Sequence, residues 1–174
     1  MGIYVKVLSK CSIWRVDILM ILVILGTQDK PFTRLLDAID KIDINQEVII
    51  QKGHTKYASN KHQSFDFIDN DKFNELLDKA DIIITHGGVG TIMQALKKDK
   101  KVIAVSRLSK FNEHQNDHQL EIIKNFTQKN YILDGTNLDN LLELINNISS
   151  FNPNKFISNN NNFINLINNY INNN

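Results

Sequence analysis

The run Ile18–Leu25 holds eight apolar residues with no polar interruption, the longest such stretch in the chain. A helix needs about 20 apolar residues to cross a bilayer, so this run cannot span one. Continuous Val/Ile/Leu runs of this length mark strands buried on both faces, which occur in parallel sheets covered by helices. Lys6, Lys10 and Arg15 precede the run, loosely in the manner of a secretion signal, but Asp17 abuts it and no clean small-x-small cleavage site follows. The run is read as a core strand.

The rest of the chain follows that lead. Gly26-Thr27 closes the run, Pro31 sits where a first helical residue belongs, and Phe32, Leu35, Leu36, Ile39 and Ile42 repeat at helical spacing. Glu47–Gln51 reads as a second strand closed by Gly53, residues 55–64 as a polar loop, and Phe65–Ile68 as a brief strand. Asp71 can cap a helix carrying Phe73, Leu76, Leu77 and Ala80. Asp81–Thr85 and Lys101–Ser106 are core strands, and Val89, Ile92, Met93 and Leu96 between them form a buried helical face. Gln119, Ile122, Ile123 and Phe126 stripe the next helix, Tyr131–Leu133 is a short last strand, and Leu138–Ile148 is a final helix. Strands alternating with helices imply βαβ units with right-handed crossovers: an α/β, Rossmann-like parallel sheet with flanking helices.

That domain occupies residues 18–150. Residues 1–17 read as an N-terminal extension without sustained periodicity, and 151–174 as an Asn-rich tail. Within the tail, Phe163, Ile164, Ile167, Tyr170 and Ile171 recur at helical spacing, so a helix over 160–172 that docks a partner is one expectation. A chain of 174 residues makes one such domain, and an enzyme site lying between two would be only half present. Twenty Lys+Arg against nineteen Asp+Glu leave a net charge of +1, which points to neither nucleic acid nor an anionic membrane. The single cysteine, Cys11, excludes an internal disulfide framework and fits a reducing compartment.

Ligands of open parallel sheets sit beyond the carboxyl ends of the strands. The turn His86-Gly87-Gly88-Val89-Gly90-Thr91 stands at such an end and opens a helix. Its glycines permit close backbone approach, the helix start offers unpaired N–H groups to a phosphate, and Thr91 adds a hydroxyl. It is neither a GxGxxG nor a Walker A loop, and a tight packing turn remains the alternative. A second cluster, Arg107 to Glu121, concentrates Arg107, Glu113, His114, Asp117, His118 and Gln119. His114 and His118 are spaced to share a helix face as metal ligands, but Gln115 replaces the glutamate of HExxH and no third ligand is obvious. A solvated helix start is the other alternative. His54 could line the same cleft or sit in an ordinary loop; His62 and the run Lys97–Lys101 read as solvent-facing. No GxSxG elbow is present.

Together, Gly26-Thr27…Pro31-Phe32, Gln51-Lys52-Gly53-His54-Thr55-Lys56-Tyr57, Thr85–Thr91 and Arg107…Glu113-His114…Asp117-His118-Gln119-Leu120-Glu121 resemble the small catalytic subunit of two-part exopolysaccharide and capsule glycosyltransferases. That subunit is similar to the cytosolic subunit of the dolichol-linked UDP-GlcNAc transferase and to the C-terminal half of family 28 glycosyltransferases. The resemblance covers about residues 18–150 and implies the C-terminal half of a GT-B enzyme. It implies a UDP-sugar substrate, inverting transfer without metal or other cofactor, a lipid-linked saccharide acceptor, and a separate membrane-anchored subunit that binds it. The chain itself would be cytoplasmic, recruited to the membrane face by that partner. By the same resemblance Gly26, Thr27, Gly87, Gly88, Gly90 and Thr91 line the donor site, Gln94 stands where a ribose-binding Glu is usual, and Gln119 contacts the sugar. His114, Asp117 and His118 support the sugar end. His86 and Arg107 would be charge-stabilising or positioning groups, with the general base on the partner.

Overall fold

The structure, a computed structural model, describes residues 19–157. Six parallel strands form one sheet: β1 Met20–Ile24, β2 Glu47–Gln51, β3 Gln63–Phe65, β4 Ile82–His86, β5 Lys101–Val105 and β6 Leu133–Asp134. Their order is β3-β2-β1-β4-β5-β6, so β1 is central, paired with β2 on one side and β4 on the other. All five β1 residues are buried, as the uninterrupted run requires.

Five helices cover the two faces: α1 Thr33–Lys41, α2 Asn70–Lys79, α3 Val89–Lys97, α4 His118–Gln128 and α5 Leu141–Asn147. Side chains of β1 alternate between the faces. Ile21, Val23 and Leu25 pack with Leu35, Leu36 and Ile39 of α1 and Leu141 and Ile145 of α5. Leu22 and Ile24 pack with Leu77 of α2, Ile92, Ala95 and Leu96 of α3, and Ile123 of α4. The expected Rossmann-like α/β architecture is the one that forms. Among the described residues no helix is long and apolar enough to cross a membrane.

Several element edges differ from expectation. Helix α1 begins at Thr33, with Phe32 rather than Pro31 at its threshold. Phe32 is fully buried and its amide donates to Thr55 Oγ1 at 3.0 Å, a bond to another loop in place of a helical one. Asp69, not Asp71, caps α2 by accepting from the Lys72 amide. β3 runs Gln63–Phe65 instead of Phe65–Ile68, which frees Phe67 and Ile68 for other contacts. β6 runs Leu133–Asp134, because Tyr131 packs against Phe126 and Phe156. The last helix is broken, with short 3-10 turns at Leu138–Asn140 and Ile148–Ser150 flanking α5. Val89 is exposed, and Ala95 takes its expected place in the α3 core face.

Two surface readings also change. The His62 side chain is 8% exposed near Asp40, whose carboxylate accepts from Tyr57 Oη. In the lysine run, Lys98 pairs with Asp78, Lys100 Nζ donates to Asp78 O, and Lys101 Nζ donates to Ile148 O and Ser149 O. Those cations tie off helix ends, where carbonyls lack partners. Residues 1–17 and the apolar stripe over 160–172 lie outside the described residues.

Candidate functional site

The sheet order turns outward in both directions from β1 and β4, and a crevice at their carboxyl ends is where such folds bind ligands. β1 delivers Gly26-Thr27 there, β2 delivers Gln51, and β4 delivers His86 and the turn into α3. A cleft of about 310 Å³ opens between them. Gly26, Thr27, Gln51, Thr91 and Gln94 contribute to its lining, and Phe67, Ile68 and Phe73 form its apolar wall.

Backbone geometry explains the glycines. Gly26 has φ +81°, and a Cβ there would lie 2.6 Å from Cε1 of the His86 ring. A Cβ on Gly88 would overlap His86 Nε2, so the imidazole is wedged between the two loops. Gln51 pins the first loop: its Oε1 accepts from the Gly26 amide at 2.9 Å, and its Nε2 donates to Gly26 O and Asp66 O at 3.0 Å each. Gly88 caps α3 without a side-chain hydrogen bond, and the first helical amide with a backbone partner there is Ile92, bonded to Gly88 O. The amides of Val89, Gly90 and Thr91 are thus the open N-terminal donors of the helix. A Cβ on Gly90 would meet nothing within 4 Å. A helix N-terminus facing open space of this kind favours an anion.

His86 does not supply positive charge here. Burial, followed by the Arg107 charge, pushes its imidazole down to about 4, so the ring is neutral at neutral pH. Arg107 is turned inward. It is 1% exposed, and its guanidinium donates to Leu25 O at 2.9 Å, Lys30 O at 2.8 Å and Glu113 O at 3.3 Å. The Phe32 ring lies 4.7 Å from its carbon centre, and its Nε has no partner among the described residues. Burial lowers this guanidinium to about 10, partly offset by Glu113, which leaves it charged. It braces the loops after β1 and β5 from beneath and does not reach the cleft.

Gln119 is buried and joins two strand ends. The Gly87 amide donates to its Oε1 at 3.2 Å and the Arg107 amide at 3.0 Å. Its amide nitrogen makes no hydrogen bond among the described residues, and Gln119 is not among the residues lining the cleft. Asp117 and His118 are exposed at the start of α4 and, with His114, lie outside the cleft walls. Asp117 accepts from the Ser109 amide at 2.7 Å, which holds its carboxyl below the usual range, so it organises its own loop. The His114 and His118 rings pack 4.6 Å apart and both turn Nδ1 toward Asn116. Among the described residues no group of three or more His, Cys, Asp or Glu is placed to hold a metal ion. His54 sits outside the cleft walls, edge-on to Phe67 at 5.0 Å.

Sequence reasoning missed the apolar wall. Phe67 is 48% exposed and lines the cleft beside Ile68 and Phe73. The spacing in Phe65–Ile68 suggested only a strand. It also missed Gln51 and Arg34, whose partners are distant in sequence.

Residues 20–171 match the glycosyltransferase family 28 C-terminal domain. The chain belongs to that family. The UDP-N-acetylglucosamine transferase subunit ALG13 of Debaryomyces hansenii is 31% identical over 72 residues, 39% of this chain and 34% of that protein. The subunit of the same name from Candida albicans is 33% identical over 60 residues, 34% of this chain and 19% of that protein. The aligned region thus spans about a third or less of these curated relatives. The solution structure of ALG13 superposes with a TM-score of 0.54 at 18% identity, covering 85% of this chain and 94% of that one. The crystal structure of Acinetobacter baumannii MurG gives 0.55 at 16% identity, covering 78% of this chain and 43% of that one. At such identities the structural likeness is one of fold, and it is the glycosyltransferase fold that the family resemblance implied. In this family 28 domain Gln94 stands on the cleft wall three residues beyond Thr91, on the same side of α3.

Proposed function

We propose that this family 28 domain binds a UDP-sugar and forms the donor half of a two-part glycosyltransferase. The observation that carries the reading is the first turn of α3, whose unpaired amides face open space at Gly90 beside a cleft of nucleoside size. The diphosphate lies against Val89–Thr91, the base against Phe67, the ribose toward Gln94, and the sugar toward Gln119. Negative charge grows on the departing diphosphate during transfer. Preoriented amides and the helix dipole stabilise that charge more than the ground state. The ALG13 relatives are named as UDP-N-acetylglucosamine transferase subunits, which makes UDP-GlcNAc the first donor to test.

A lipid-linked saccharide held by a separate membrane-anchored subunit completes the reaction, and that subunit brings this chain to the membrane. No residue lining the cleft carries an acid or base, and His86, at about 4, is a weak base. The base that accepts the acceptor's proton is therefore assigned to the partner. The same observation favours a second reading, a non-catalytic nucleotide-binding module. Sugar transfer to a polyprenyl-linked acceptor after co-expression with the partner excludes it.

Calorimetric titration should show micromolar binding of UDP and UDP-GlcNAc by the chain alone; no binding refutes the proposal. Gly90→Ala sharpens the test. Alanine inside a helix is favoured by up to about 1 kcal/mol over glycine, and the site has room, so stability should hold or rise. The added methyl occupies the space assigned to phosphate, so UDP affinity should fall about tenfold or more, the loss of one charge-assisted hydrogen bond. Unchanged affinity would place the diphosphate elsewhere.

A further inference from the structure

The loop after β5 reaches the sugar end of the proposed site without a core of its own. Its only regular piece before α4 is the 3-10 turn Ser109–Phe111, which buries no residue, and Asn112 follows at φ 57°. Its path is set by polar ties. Arg34, the second residue of α1, makes a two-pronged contact with Glu113: Nε donates to Oε1 at 3.0 Å and Nη2 to Oε2 at 2.9 Å. Arg34 Nη2 also donates to Ser106 O at 2.8 Å, and Glu113 Oε2 accepts from the Leu108 amide at 3.0 Å. The pair therefore holds both ends of the segment 106–113 against α1. The side chains are 21% and 5% exposed, so water screens this pair less than an ordinary surface bridge. Phe111, half exposed, covers the Arg34 guanidinium at 4.9 Å.

We infer that Arg34 and Glu113 are positioning residues for the sugar end of the donor site. They touch no part of the cleft themselves. They fix the segment that begins at Arg107, and the Arg107 amide shares Gln119 Oε1 with the Gly87 amide of the phosphate-facing turn. Without the pair, segment 107–113 keeps the bonds of the Arg107 side chain and the Ser109–Asp117 contact but loses its hold on α1, and the three-way contact of Gly87, Arg107 and Gln119 loosens. The inference deepens the proposed function and rests on it for its consequence in sugar binding, but its structural half stands alone. Lysine cannot replace Arg34, since one ammonium cannot bridge two carboxylate oxygens and a carbonyl in a planar fork.

The first measurement is amide hydrogen exchange by NMR on the ligand-free chain, for Arg34→Ala and the milder Glu113→Gln. Exchange at Gly87 and Arg107 should accelerate about tenfold or more while the β1 amides stay protected, the signature of a local opening. Unchanged exchange at both sites overturns the inference, whatever the chain binds. The second measurement is the ratio of UDP to UDP-GlcNAc affinity. Both variants should lose a clearly larger factor of affinity for UDP-GlcNAc than for UDP; the Arg34→Lys variant should not restore the sugar's share. A proportional loss for both ligands in folded protein would assign the pair a general stabilising role and overturn the inference. If the unaltered chain binds no UDP, the proposed function falls, and the exchange experiment still decides the positioning role.

Discussion

Replacing Arg107 with Met should lower the unfolding free energy by about 3–5 kcal/mol, the scale for stripping one partner from a buried charged contact. Methionine nearly matches the arginine stem and would still lie against Phe32. It offers no donor, so Leu25 O, Lys30 O and Glu113 O lose theirs inside the fold. Each buried carbonyl left unpaired costs about 1–3 kcal/mol. Relief of the buried guanidinium's own desolvation offsets part of that sum. The melting temperature of a domain this size should drop by about 10 °C. Chemical denaturation of the purified variant checks the figure. A loss below about 1 kcal/mol would mean that water re-enters and satisfies the three carbonyls. Because those carbonyls belong to the loops after β1 and β5, the same variant should also weaken UDP binding, through displaced loops and not through a lost ligand contact.

Arg107 shows why the fold was more legible than the site. Strands such as β1 and β4 announce themselves because burial on both faces demands one chemistry at every position, and that demand is written in consecutive residues. The loops are held differently. Gln51 reaches Gly26 across 25 residues, Gln119 reaches Gly87 across 32, and Arg34 reaches Glu113 across 79. None of these pairings has a local signature. A charged residue at a strand's carboxyl end beside a glycine turn looks like a ligand group whether it points out or in, and Arg107 points in. His86 was readable as the residue that opens the glycine turn, but not its charge state, which depends on burial by the loops that enclose it and then on Arg107. Conversely, the glycines were legible as a turn that lets the backbone come close, to a ligand or to its own packing partners. The structure separates their tasks: Gly26 and Gly88 make room for an imidazole, while Gly90 leaves space empty.

The enclosed imidazole leads to the second large effect, a loss of stability on mild acidification. In the unfolded chain His86 titrates near 6.5, and in the folded protein near 4. Between those values the unfolded state binds more protons, so the unfolding free energy rises with pH across the window and falls as the solution is acidified. Above about pH 6.5 the ring is neutral in both states and has no pH-dependent effect. Below about pH 4 it is protonated in both, and the loss is complete. A separation of about 2.5 pH units corresponds to about 3 kcal/mol at most. His62 acts with the same sign, because burial lowers it too. The carboxyls of Asp69 and Asp117 are held low by backbone amides and release their stabilisation only under more acid conditions. Denaturant midpoints measured from pH 7.5 to 4 should therefore slope downward below about 6.5, and His86→Asn should remove the larger part of that slope. A flat profile in the unaltered chain would mean that the ring takes its proton without penalty. His86 would then be a cation in the folded protein, and not the neutral wedge that Gly26 and Gly88 enclose.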